Sequence, residues 1–186
     1  TAQQTLSQLV AKDEKELLYI DSVLLSLERA QSAAELSEIR EELCDAGYLF
    51  RNPKAKQKVL AGKPKEYISK SGFKILVGRN NRENDMLTTK IASKQDLWFH
   101  TKNIPGSHVI LITQGKEVDE ETLLYAASLA ASHSKAAMGE NVPVDYTLVK
   151  NVKKPSGAKP GYVIYTTNWT AYVTPDAETV QKLKEK

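Results

Sequence analysis

The apolar residues of this chain change their spacing once, and that change limits the fold more than any other feature. Up to residue 46 they recur at intervals of three and four residues, which is the period of an amphipathic helix. From Glu66 onward, short runs rich in β-branched residues alternate with turns that contain Gly or Pro, a pattern typical of antiparallel strands. The sequence therefore predicts an α+β protein in which a helical part precedes a mainly antiparallel sheet.

The helical part, residues 1–50, is predicted to be an antiparallel hairpin that ends a coiled coil. Residues 3–28 carry a narrow apolar seam, formed by Leu6, Val10, Leu17, Ile20, Leu24 and Leu27. Ser32 followed by Glu35 is a capping-box pattern that starts a second helix, and Gly47 ends it. The alternative is an ordinary pair of helices that caps the globular part.

The rest of the chain divides into a basic linker at 51–64, a compact α+β domain at 65–180 and a tail at 181–186. The domain is predicted to contain one long helix, at 119–137, and a short helix at 80–92. Strands are predicted at 67–69, 74–77, 97–100, 108–113, 144–152, 162–165 and 171–174.

Charge is segregated along the chain. Residues 1–45 contain ten acidic and four basic side chains, whereas residues 46–116 contain four acidic and fourteen basic ones. A basic block of this size favours binding to nucleic acid or to another anionic surface, because bound counterions are released. The alternative is a solvated, lysine-rich face without a ligand.

Several classes of protein are not expected from this sequence. There is no apolar run near 18 residues and no signal peptide, so we expect neither membrane insertion nor secretion by that route. The single cysteine, Cys44, excludes an internal disulfide framework and fits a reducing compartment such as the cytoplasm. Nucleotide-binding loops and paired catalytic carboxylates are missing, so no enzyme activity, cofactor or small-molecule substrate is expected. Because the chain begins at Thr1 without a methionine, we expect a piece of a longer protein.

The first candidate binding segment, residues 78–85, comes where a strand gives way to a helix. The guanidinium groups of Arg79 and Arg82 could hold phosphate in a bidentate way. Asn80 and Asn81 could hydrogen-bond base edges or sugar hydroxyls. The alternative is a helix N-cap followed by turn asparagines.

The second candidate segment combines Trp98 and His100, which alternate along a strand and so share one face of the sheet. Phe99 is expected to point into the core on the other face. An exposed Trp beside basic loops could stack on unpaired bases, and Lys102 and His108, around the next turn, are included in the same RNA-binding site. The alternative places Trp98 at a buried sheet–helix interface. Asp96, His100 and His108 could converge in a hairpin, but no metal is expected, because a third His or a Cys ligand is missing nearby.

The third candidate segment is the loop at 153–161, which carries Lys153, Lys154 and Lys159. Two prolines and two glycines shape it, so its amides and ammonium groups could converge on an anion. We expect this loop to share a face with Trp98 and His100. The alternative is a hairpin connection with incidental lysines.

These segments also resemble a known family. Residues 78–85, 96–100, 105–109 and 144–161 resemble the C-terminal RNA-binding domain of NFACT proteins, which in streptococci are called fibronectin-binding proteins. Residues 38–43 with 47–49 resemble the end of the middle coiled coil of that family.

The resemblance implies two functions of different classes. One is binding of tRNA and the large ribosomal subunit in ribosome-associated quality control, in the cytoplasm. The other is binding of host fibronectin by an adhesin that is displayed on the cell surface without a signal peptide. Neither function requires catalysis by this part of the chain.

Overall fold

A helical hairpin followed by a mixed domain makes up the part of the chain that the structure, a computed structural model, describes: residues 1–51 and 62–176. The middle of the predicted basic linker and the predicted tail at 181–186 lie outside these residues. The helices are α1 (Ala2–Arg29), α2 (Ala33–Asp45), α3 (Asn81–Met86) and α4 (Glu120–Ser132). The strands are β1 (Lys65–Ile68), β2 (Lys74–Val77), β3 (Leu97–Thr101), β4 (Val109–Leu111), β5 (Val142–Leu148), β6 (Val152–Lys153), β7 (Ile164–Tyr165) and β8 (Trp169–Val173).

The hairpin of α1 and α2 has the predicted start and end signals. The Ser32 hydroxyl accepts a hydrogen bond from the Glu35 amide at 3.2 Å, and the Glu35 carboxylate accepts one from the Gln31 amide at 2.7 Å. Gly47 follows α2 with a φ of 83°, a left-handed conformation in which glycine commonly ends helices. The helix boundaries therefore follow from local chemistry.

Of the predicted seam, Ile20 packs at the contact between the two helices, but the buried residues of that contact lie outside the seam. Tyr19, Val23 and Ile39 are the buried residues of their contact, whereas Leu6 and Leu17 of the seam are each 63% exposed. Tyr19 and Val23 are four residues apart and form a stripe on a different side of α1 from Leu17. Most of the seam is therefore exposed and lies outside the surface on which α2 packs.

The sheet of the α+β domain (residues 62–176) is antiparallel throughout, with the strand order β1-β2-β4-β3-β5-β8. Phe99 lies on the face that α4 covers, where small residues of that helix allow a close approach to the strands. The opposite face carries Trp98 and Ile110 against Leu87 and Val149. The predicted alternation of Trp98 and Phe99 is confirmed.

The second face of the sheet is covered by irregular structure. After α3 a π-helical turn, Leu87–Ile91, places Leu87 against Trp98. The short pair β6–β7 and its connecting loop lie over the same region, since Val152 and Tyr165 pack there. This face therefore has an apolar cluster that is separate from the one under α4.

The second half of α1 docks on the α+β domain. Arg29, at the end of α1, donates hydrogen bonds to the carbonyls of Ser132 (2.9 Å) and Ser134 (3.2 Å), where α4 ends. Asp21 lies 3.3 Å from the ammonium group of Lys135 in the same region. Cationic groups are favourable at a helix C-terminus, because its last carbonyls have no partners in the helix.

Candidate nucleic-acid interface

A cleft of about 610 Å³ lies between the hairpin and the domain. One wall is α1, through Lys15, Leu18, Tyr19 and Ser22. The facing wall is the loop at 155–163, and the turn at 103–106 closes one end. Because the walls come from distant parts of the chain, docking of the hairpin is what forms this cleft.

Aromatic rings form the floor of the cleft. Trp98 stacks on His100, with ring centroids 5.7 Å apart, and meets the edge of His108 at 5.3 Å. Tyr165 covers Trp98 at 4.8 Å. Trp98 is only 1% exposed, so the prediction that it offers an open stacking surface is wrong. The alternative is correct in that Trp98 is buried, and its partners, which include Leu87 of the π-helical turn, lie on the face opposite α4.

The floor is uncharged at neutral pH. Burial lowers the pKa of His100 and lowers the pKa of His108 further, well below the usual value. A hydrogen bond of 2.8 Å joins His108 Nδ1 to the Thr88 hydroxyl. The indole N–H of Trp98 is buried and has no hydrogen-bond partner in the described part of the chain. The cleft thus has an apolar floor with one unsatisfied donor.

Lysines fix the loop wall in place. The Lys154 ammonium group donates to the Asp85 carboxylate at 2.5 Å and to the Lys159 carbonyl at 3.0 Å. The Gly161 amide donates to the other Asp85 oxygen at 3.0 Å. Lys159 reaches the hairpin, where it donates to the Tyr48 hydroxyl at 2.9 Å and lies 4.4 Å from the centroid of that ring. The loop therefore lies beside Trp98 and His100, as the sequence predicted, with two of its lysines engaged within the protein.

Arg79 and Asn80 hold the domain to the hairpin. Arg79 pairs with Glu83 at 2.5 Å and with Glu35 of α2 at 2.7 Å. Asn80 is the N-cap of α3, because its side chain accepts from the Glu83 amide, and it donates to Glu38 at 2.8 Å. The N-cap alternative therefore describes Asn80 correctly, and both side chains are bound to carboxylates within the protein.

Asn81 and Arg82 make further contacts to the hairpin. Asn81 is buried and donates to Ser22 at 2.8 Å and to Glu42 at 3.0 Å. Arg82 is half-exposed and pairs with Asp45 at 2.8 Å. We assign Asn81 to the hairpin contact, and Arg82 to the edge of that contact.

The other candidates divide between the cleft and the surface. His100 and His108 line the cleft with Trp98. Lys102 and Lys153 have exposed side chains and form no salt bridge within residues 1–51 and 62–176. Sequence reasoning missed Lys15 and Tyr165, because no local pattern places α1 over the loop or Tyr165 over Trp98.

No cluster of three or more His, Cys, Asp or Glu residues within the described ranges could hold a metal ion. Among the helices of the described part, none combines the length and apolar character that crossing a bilayer requires.

Most of the antiparallel sheet and the lysine-bearing loop fall within residues that match an RNA-binding domain. Residues 63–166 match the model of the NFACT protein RNA binding domain, and residues 1–60 match that of the NFACT N-terminal and middle domains. The chain therefore belongs to the NFACT family.

Two similar bacterial proteins are about three times as long as this chain. The chain is 48% identical over 177 residues to the "Rqc2 homolog RqcH" of Bacillus subtilis, which covers 92% of the chain and 30% of the relative. It is 43% identical over 180 residues to the protein of the same name in Streptococcus suis, which covers 96% of the chain and 32% of the relative. The chain thus spans about a third of the length of these relatives.

A solved structure has the same fold. It is the C-terminal part of the fibronectin/fibrinogen-binding protein from Streptococcus suis, with a TM-score of 0.90 and 42% identity. The match covers 98% of this chain and 73% of the other.

Proposed function

We propose that this part of the protein binds RNA without catalysis and contacts tRNA and the large ribosomal subunit during ribosome-associated quality control. The observation that carries the proposal is the position of the cleft, whose floor and loop wall fall within the residues that match the NFACT RNA binding domain. The similarity to the RqcH proteins supports the ribosomal setting, which would place the protein in the cytoplasm.

The chemistry of the cleft suits an unpaired nucleotide. Its volume of about 610 Å³ lies in the range of small-ligand pockets. Trp98 has no open face, so a base would lie against Tyr162, Ile164 and Pro105, which line the mouth of the cleft. Planar bases bind such apolar and aromatic surfaces with little dependence on sequence.

Phosphate groups outside the cleft would meet Lys102 and Lys153. Both side chains are exposed, and neither is neutralised by a carboxylate in the described ranges. By contrast, the charges of Arg79 and Arg82 are balanced by carboxylates of the hairpin or of α3. The electrostatic contribution to RNA binding should therefore come from the exposed lysines rather than from the arginines.

A carboxylate placed at the mouth of the cleft tests the proposal. Ile164 is 49% exposed there, and Ile68, which does not line the cleft, is 43% exposed on an edge strand. Ile164→Glu should weaken binding to a tRNA transcript and to isolated large ribosomal subunits by about 5- to 30-fold, because a charge near a phosphate costs about 1–2 kcal/mol. Ile68→Glu is the matched control and should change either affinity less than about twofold. Equal affinities for the two variants would contradict a role for the cleft.

A second candidate function is binding of fibronectin. The observation that favours it is the similarity to the C-terminal part of the Streptococcus suis fibronectin/fibrinogen-binding protein. Surface plasmon resonance with immobilised fibronectin and immobilised tRNA, on one preparation, compares the two partners. Saturable binding to fibronectin alone would favour this candidate, and with it display on the cell surface.

A further inference from the structure

A second groove lies on the opposite face of the sheet from the cleft. It has a volume of about 590 Å³, and its floor is formed by Leu97, Leu148 and Leu123 of α4. Leu97 and Leu148 are paired across β3 and β5, on the face that carries Phe99. The floor of the groove and the floor of the cleft are therefore separated by the thickness of the sheet.

The rim of the groove is basic. Lys94, Lys116 and Lys150 line it, and its described lining residues include no Asp or Glu. All three side chains are exposed, and none forms a salt bridge with a carboxylate of residues 1–51 or 62–176. Three uncompensated ammonium groups around one apolar floor make a surface that is complementary to a chain of phosphates.

One buried carboxylate holds the three lysine-bearing segments together. Asp96 is buried, and its carboxylate accepts hydrogen bonds from the amides of Ser93 (2.8 Å), Thr113 (2.9 Å) and Gln114 (3.1 Å). Its carbonyl accepts from the Val149 amide at 2.9 Å. These bonds tie the segment before β3, the segment after β4 and the segment after β5 to one residue. The lysine positions are thus fixed by the fold, unlike those of lysines scattered over a flexible surface.

An exposed tryptophan lies on the same face of the sheet. Phe99 stacks on Tyr146 at 5.4 Å, and Tyr146 stacks on Trp169 at 5.6 Å. Trp169 is 52% exposed. Tyr146 is two residues from Leu148 and is paired with Trp169, so strand geometry places Trp169 about 8 Å from the floor of the groove. The buried end of this stack gives the exposed indole a rigid support.

We propose that this groove, with Trp169, binds a single-stranded segment of RNA. The phosphates lie along Lys94, Lys116 and Lys150, and a base stacks on the indole of Trp169. The proposal shares with the proposed function the assumption that the ligand is RNA, but it assigns a different surface. With the cleft on one face and the groove on the other, the domain contacts RNA from two sides.

Removal of the three charges tests the groove. The probe is a labelled oligouridylate of about 12 nucleotides, a length within the range that single-strand binding domains cover. The triple variant Lys94→Ala, Lys116→Ala, Lys150→Ala should reduce the slope of log affinity against log salt by about 2, since each lost contact to single-stranded RNA contributes about 0.7. A control variant of equal charge replaces the exposed Lys12, Lys63 and Lys90 with Ala, and its slope should change by less than about 0.7. Equal slopes for the two triple variants would overturn the proposal.

Fluorescence tests the stacking step separately. Oligouridylate should quench the emission of the wild-type protein, and Trp169→Phe, which leaves only the buried Trp98, should show much less quenching. The cleft variant Ile164→Glu distinguishes the two proposals. If Ile164→Glu weakens binding while the groove variants do not, RNA binding by the cleft is supported and RNA binding by the groove is refuted. If the wild-type protein binds neither oligouridylate nor tRNA, both proposals fall.

Discussion

Arg79→Met should destabilise the folded protein strongly, although the sequence suggests a phosphate ligand at this position. The Arg79 side chain is 18% exposed and lies 2.5 Å from Glu83 and 2.7 Å from Glu35. Glu38 is 3.9 Å away. Methionine keeps most of the aliphatic stem but removes the charge that these three carboxylates share. The change therefore leaves negative charge in a mostly buried contact between the hairpin and the domain.

The magnitude follows from burial. Breaking a buried ion pair by removing one partner costs about 3–5 kcal/mol. Because Arg79 and Glu35 keep some access to water, we expect a loss of about 2–4 kcal/mol in the free energy of unfolding. Arg82→Met is the matched control: its pair with Asp45 is 45% and 42% exposed, and exposed pairs contribute about 0–1 kcal/mol.

Denaturation in urea, followed by tryptophan emission and far-UV circular dichroism, measures both variants. Adding Glu83→Gln to Arg79→Met should recover part of the loss, because it removes one of the uncompensated charges. Equal stability of the two arginine variants would refute a structural role for Arg79, as would an Arg79→Met variant that keeps wild-type stability and loses RNA affinity.

Three further predictions concern the cores and a buried carboxyl. Removal of residues 1–50 should leave a cooperatively folding domain, because both apolar clusters of the sheet come from residues after 66; loss of cooperative unfolding in denaturant would contradict this. Burial raises the pKa of Glu42, so the wild-type protein loses stability as the pH rises through that pKa. Glu42→Gln should therefore have a higher Tm than wild type at pH 8, and the difference should vanish near about pH 4. An equal difference in Tm at both pH values would contradict a raised pKa of Glu42. Trp98→Ala should cost about 3–5 kcal/mol in unfolding free energy, as truncation of a buried aromatic does; a loss below about 1 kcal/mol would show that the ring is not a core residue.

Local patterns in the sequence predicted the parts of the fold that depend on local chemistry. The period of the apolar residues located the hairpin and the sheet, and strand alternation placed Trp98 and Phe99 on opposite faces. The predicted neighbourhood of Trp98 and the loop at 155–161 is also present. The first two outcomes depend on residues that are close in the sequence. The position of the loop beside Trp98 also depends on contacts between distant residues, such as that of Lys154 with Asp85.

Contacts between residues that are distant in the sequence were not predicted. Arg79, Asn80 and Asn81 follow a strand in a polar, asparagine-rich segment, which suggests a solvent-exposed turn. Their partners are carboxylates and a hydroxyl of the hairpin, more than 35 residues earlier. The acidic first part of the chain and the basic block after it thus neutralise each other in part, and net charge by segment overstates the positive charge that remains for a ligand.

The anchoring of α1 at one end couples its exposed N-terminal half mechanically to the cleft. The helix has 28 residues and so is about 42 Å long, but residues 1–15 are exposed and only the second half is anchored. The anchored half includes Tyr19 and Ser22, which are also part of one wall of the cleft. The projecting half is therefore a lever arm: a torque applied near Leu6 would turn the helix about the contact of Ser22 with Asn81 and change the width of the cleft, whose wall on α1 lies between Leu6 and that contact.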